Sequence, residues 1–188
     1  MLCLVVLIAG CASGHALDRR HALPHGTGTG WWYASFHPSW EPDGVPNWYL
    51  DALLADRVVA PLLAEFRGKL PLWRFHRRAA PDVLGHRFAF IFYATPATAQ
   101  GVAARLRADP LLSELERDGL LDRWSVDATR VSQKPGIGDT SDPHWSAEMQ
   151  AEWPYFIMGV SRTWLGLVQA QADRHVPPGE RSVLQLVP

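Results

Sequence analysis

Past residue 11 the chain has no cysteine: Cys3 and Cys11 are its only two. The body therefore has no internal disulfide, no thiolate nucleophile and no thiolate metal site. Lysine is nearly missing too. Lys69 and Lys134 are the only two among eighteen basic residues, so sixteen are arginine, a bias that a GC-rich genome explains without any arginine-specific recognition. Neither sign of charge dominates. A formal net charge of -1 sets up no global field for nucleic acid or for an anionic bilayer. No apolar run approaches the roughly 20 residues that a membrane-spanning helix needs.

Motifs of chemistry are also missing. Gly26, Gly28 and Gly30 alternate with Thr27 and Thr29, without the preceding buried strand and following helix of a dinucleotide fingerprint. Lys134-Pro135-Gly136-Ile137-Gly138 lacks the Walker spacing. Ser161, within Gly159-Val160-Ser161-Arg162-Thr163, lacks the second glycine of a nucleophile elbow. The sequence leans against an enzyme and implies no cofactor.

What is present is a globular composition, 47% hydrophobic and 20% charged, on a length that suits one domain. Tryptophan is the outlier, with nine residues. Large aromatics contribute much buried area each, which suits a domain without disulfides.

The N-terminus carries an address. Residues 2 to 8 read Leu-Cys-Leu-Val-Val-Leu-Ile and are followed by Ala9, Gly10 and Cys11. The run is too short to span a bilayer but suits the apolar region of a signal peptide. Leu7-Ile8-Ala9-Gly10-Cys11 resembles the lipobox of bacterial lipoproteins. The resemblance implies cleavage before Cys11, a diacylglycerol on its thiol and a further acyl chain, such as palmitate, on its amine. Ala12 in place of aspartate implies the route to the outer membrane, facing the periplasm. Several chains on one cysteine anchor stably. Residues 1–10 are thus expected to be signal peptide and 11–30 a lipidated tether. Residues 12–30 would reach about 24 Å as a random coil.

Residues 31–188 read as a single α+β domain. Trp31 to His37 reads as a strand. Asn47 is a plausible cap for a helix whose Leu50, Leu53, Leu54, Val58, Leu62 and Phe66 recur at helical spacing up to Gly68. Leu70 to Arg78 and Arg87 to Ala94 read as a hairpin. Phe88, Phe90 and Phe92 alternate there with Ala89, Ile91 and Tyr93, so the second of these strands is apolar on both faces and central. Thr95-Pro96 and Asp109-Pro110 open two helical pieces. Arg123 to Val131 reads as a fourth strand. The order is a ferredoxin-like split βαβ (βαββαβ) antiparallel sheet with two helices on one face. A long aromatic C-terminal helix is expected from Asp142-Pro143, kinked or restarted at Pro154. Its stripe includes Trp145, Trp153 and Trp164. That stripe is expected to cover the open face of the sheet or to dock a partner.

His76 and His86 sit five residues either side of Pro81. A hairpin centred there would bring them within about 5.5 Å between Cβ atoms, a pair able to bind zinc or copper if His37, Asp82 or His144 completed the set. Arg74, Arg77, Arg78 and Arg87 gather on the same hairpin and suit lipid phosphates, peptidoglycan carboxylates or an acidic protein. The expectation is a membrane-anchored envelope lipoprotein of binding or assembly type. Its partner would be an envelope protein, with glycan or lipid as the next choices. The alternatives are a periplasmic metal-binding protein or enzyme using His76 and His86, and a glycan-binding envelope-stability lipoprotein.

Overall fold

The computed structural model describes residues 23, 26–41, 44–127 and 129–175. The expected signal peptide, Cys11 and most of the tether lie outside these residues. Four antiparallel strands form one sheet in the order β2-β3-β1-β4: β1 (Gly30–Pro38), β2 (Leu72–Ala79), β3 (His86–Ala94) and β4 (Leu121–Val126). This is the ferredoxin-like arrangement read from the sequence, with β3 inserted between β1 and β2. None of the helices is long and apolar enough to cross a membrane among the described residues.

Alternation along β3 decides where the two layers lie. Phe88, Phe90 and Phe92 point to one face and join Trp32, Phe36, Trp73 and Phe75 in the main core. Helices cover that face. α1 (Trp48–Leu54) runs through a π-helical segment (Ala55–Val59) into α2 (Ala60–Glu65). The wider turn stands just before Pro61, which has no N–H to give to the turn beneath it. α3 (Pro96–Arg107) and α4 (Pro110–Arg117) follow. They are capped by the side chains of Thr95 and Asp109, which accept from Thr98 N and Leu111 N. Ala89, Ile91 and Tyr93 point the other way and form a smaller cluster with Trp31 and Leu72. The returning loop closes over this second cluster. Trp31 N donates to Lys134 O at 2.9 Å, and Tyr93 Oη donates to Pro135 O at 2.9 Å. Gly30 permits that approach, because a Cβ there would overlap Lys134 O and Ser132 Oγ. Gly28, assigned from sequence to the tether, already pairs with this loop through Ser132 N.

α5 (Ala147–His175) lies along the outer edge of the sheet rather than across its open face. Ser161 is buried. Its Oγ accepts from Phe75 N of β2 at 3.0 Å and donates to Ile157 O at 2.8 Å. A helix hydroxyl thus satisfies an edge-strand donor that would otherwise be open to pairing with another chain.

Several boundaries differ from the sequence expectation, each for a local reason. β4 ends at Val126 because Asp127 turns the chain, its Oδ1 accepting from Thr129 N at 3.1 Å. α5 starts at Ala147, where Ser146 Oγ accepts from Met149 N. Asp142 instead caps an earlier turn by accepting from His144 N. Pro154 does not break α5. The carbonyl that its missing N–H would have met, Gln150 O, accepts from Ser141 Oγ at 2.9 Å. Asn47 makes no side-chain cap; its Nδ2 donates to Ser39 O at 2.6 Å.

Candidate anion-binding site

The expected His76–His86 pair does not form. The strand register sets His76 opposite Ala89 and His86 opposite Ala79, because the hairpin turns about a point nearer Asp82 than Pro81. The slip has the consequence that period-2 alternation dictates: His86 falls on the helix-covered face with Phe88, and His76 falls on the other. Among the described residues no group of three or more His, Cys, Asp or Glu is placed to hold a metal ion. The four hairpin arginines divide in the same way. Arg77 shares the helix-covered face with Phe75, while Arg74, Arg78 and Arg87 lie on the opposite one.

His86 finds a different neighbour. Asp51, on the inner side of α1, is fully buried, as is the imidazole of His86. Nε2 of His86 stands 2.9 Å from Oδ1 of Asp51. The approach is close but out of line for a hydrogen bond, and neither ring nitrogen has a hydrogen-bond partner among the described residues. The contact is favourable only with a proton on Nε2. The other carboxylate oxygen, Oδ2, accepts from Nε of Arg77 at 2.7 Å. Sequence spacing gave no hint of Asp51, whose position on the apolar stripe of α1 is the signal that was available: a carboxylate between Leu50 and Leu53 must be paired if it is buried.

Two tryptophans complete the arrangement. The guanidinium carbon of Arg77 lies 4.9 Å from the ring centroid of Trp48 and 4.7 Å from that of Trp164. Trp48 also meets His86 edge-on at 4.9 Å. Trp164 is held in turn by Phe75, edge-on at 5.3 Å. Three elements therefore fix one guanidinium: α1 supplies Trp48 and Asp51, β2 supplies Arg77 itself, and α5 supplies Trp164. Cation–π contact with two rings restricts the group. The Nε–Asp51 bond sets its direction. The Arg77 side chain remains 33% exposed, and its two terminal nitrogens have no hydrogen-bond partner among the described residues. These two nitrogens carry donors in the fork that matches a carboxylate or phosphate bidentately.

Of the three C-terminal tryptophans, the structure brings only Trp164 to this site. Trp145 and Trp153 meet edge-on at 5.0 Å near the start of α5, with Phe156 5.5 Å from Trp153. Phe156, Val160 and Leu167 are exposed and line an open apolar hollow beside Trp164.

No protein-family model matches the chain, and no curated protein matches it. Among solved structures it is similar to the tRNA-dependent lantibiotic dehydratase MibB from Microbispora sp. 107891, at 20% sequence identity and a TM-score of 0.49. The match covers 86% of this chain and 13% of that one.

Proposed function

We propose that the chain is a lipid-tethered protein of the bacterial cell envelope that binds a partner rather than transforming a substrate, and that it holds a carboxylate of that partner on Arg77. The observation that carries the binding reading is the Arg77 guanidinium, anchored at Nε, in cation–π contact with both Trp48 and Trp164, and on a side chain that stays 33% exposed. A guanidinium fixed in this way loses little conformational freedom on binding, so more of the charge-assisted hydrogen bonding appears as affinity. The tryptophan rings add apolar walls for whatever carries the carboxylate. An acyl anchor on Cys11 is supported by the lipobox-like run at residues 7–11. The metal-binding alternative loses its pair, since His76 and His86 occupy opposite faces of the sheet.

The test is calorimetric titration of the purified protein with N-acetylated dipeptides that end in a free carboxylate, against the same dipeptides as C-terminal amides. The carboxylates bind and the amides do not, and Arg77→Ala removes the difference. A muropeptide that binds where the dipeptides fail would assign the carboxylate to cell-wall glycopeptide. Equal behaviour of acids and amides would overturn the reading.

A further inference from the structure

The opposite face of the sheet carries a second charged feature. Arg78 pairs directly across the strands with Arg87, and His37 with Arg123. Phe36 pairs with Phe88, so His37 and Arg87 are next in line. Arg78, Arg87, His37 and Arg123 thus form a row across all four strands, about 14 Å wide at the usual strand spacing. Like charges set directly opposite destabilise a sheet, and two acids stand against the three arginines of this row. Asp82 pairs with Arg78, and Asp122, hydrogen-bonded to Ser39, lies near His37. Arg87 has a buried Nε with no hydrogen-bond partner among the described residues. Arg123 is exposed and shows no ion pair there.

Beside this row stands the tip of the β2–β3 hairpin. Val83 is 96% exposed and Leu84 45%. The tip is held in shape by Asp82, whose Oδ1 accepts from Leu84 N and Gly85 N at 2.9 and 3.2 Å. Trp40 lines the same hollow as His37, Leu84 and Arg123. Two aliphatic side chains at a fixed tip, an adjacent tryptophan and two arginines, Arg87 and Arg123, that show no ion pair among the described residues suit one environment well. Aliphatics enter the acyl boundary, tryptophan sits at headgroup depth and arginines meet phosphates.

We infer that the β2–β3 hairpin tip and the Arg78–Arg87–His37–Arg123 row form a contact surface for an anionic lipid membrane. An acidic soluble partner fits less well, because it gives no reason for Val83 and Leu84 to stand exposed beside the charged row. The inference rests on the envelope location proposed above but not on the Arg77 site. A tether from Cys11 would hold the domain near the bilayer, so weak contacts of this kind suffice.

The test uses the full chain with Cys11→Ala, which cannot be acylated on that thiol, and vesicles of phosphatidylcholine with or without phosphatidylglycerol. The protein co-sediments with the phosphatidylglycerol vesicles, and added salt releases it. Arg123→Gln lowers the partition coefficient about fivefold, and the paired Val83→Ser and Leu84→Ser substitution lowers it at least as much. All three positions are exposed, so the fold tolerates the changes. Arg77→Ala sediments like the parent, which separates this surface from the carboxylate site. Absence of sedimentation with anionic vesicles would overturn the inference. So would variants that sediment as well as the parent, or loss with Arg123→Gln alone, which would point to a soluble anion.

Discussion

Asp51 Oδ2 accepts a 2.7 Å hydrogen bond from Arg77 Nε, joining a fully buried carboxylate to a guanidinium that reaches the surface. The two partners are unequal in what they lose if separated. Arg77 can turn to water, whereas Asp51 cannot.

That inequality predicts the stability of the variants. Arg77→Ala leaves Asp51 buried with His86 as its remaining partner and costs about 2–3 kcal/mol, somewhat below the usual figure for breaking a buried pair because Arg77 is partly hydrated. Adding Asp51→Ala recovers part of that loss. Urea denaturation of the single and double variants reads both effects. A double variant less stable than Arg77→Ala alone would show that Asp51 is not the strained group.

Acid should destabilise the fold through two histidines on the other face. Burial, with help from Arg74, Arg87 and Arg78, lowers the pKa of His76 below its ordinary 6.5. Burial lowers that of His37 too, with Arg123 and Arg87 adding to the shift. In both cases the unfolded chain binds more protons between the lowered value and 6.5. Stability is therefore fully present above pH 6.5 and falls as the pH drops through that window. Urea midpoints measured from pH 8 to pH 5 should decline, and His76→Gln should flatten the decline. A midpoint that rises on acidification would contradict this assignment.

Ser161 is expected to protect the β2 edge. Ser161→Ala leaves the buried Phe75 N–H without its acceptor and costs about 1–2 kcal/mol. Hydrogen exchange at the Phe75 amide should accelerate in the variant more than at Phe90 in the sheet centre. Uniform acceleration would instead mean a global loss of stability.

For the N-terminus, the expected outcome is a mature chain that starts at Cys11 and carries acyl chains on it. Intact mass measurement of the native protein checks this, and Cys11→Ser should leave an unacylated form. A native chain of unmodified mass that retains residues 1–10 would remove the envelope reading.

Much of the fold was legible in residue patterns. The two-sided apolar alternation of Phe88 to Tyr93 marked β3 as central, and the Thr95-Pro96 and Asp109-Pro110 pairs marked α3 and α4. The site was less legible, because it depends on register and side-chain reach. The His76–His86 pairing failed through the position of one turn, which moved two residues to opposite faces. The stripe that includes Trp164 was expected to cover the open face of the sheet or to dock a partner; α5 instead runs along the sheet edge, and the Trp164 ring packs on Arg77 there. Pro154 was expected to kink or interrupt α5. Ser141, thirteen residues earlier in the chain, supplies the hydrogen bond that lets the helix continue.

The most direct measurement is a nitrogen-15 NMR titration of the Arg77 guanidinium with acetate, with Arg74 and Arg123 as internal references. Binding at the fork should shift the terminal nitrogens of Arg77 and the indole signals of Trp48 and Trp164 along one saturable curve, with little change at the other two arginines. Equal, unsaturated drift at all three arginines would mean screening by a salt, and the Arg77 site would not be a binding site.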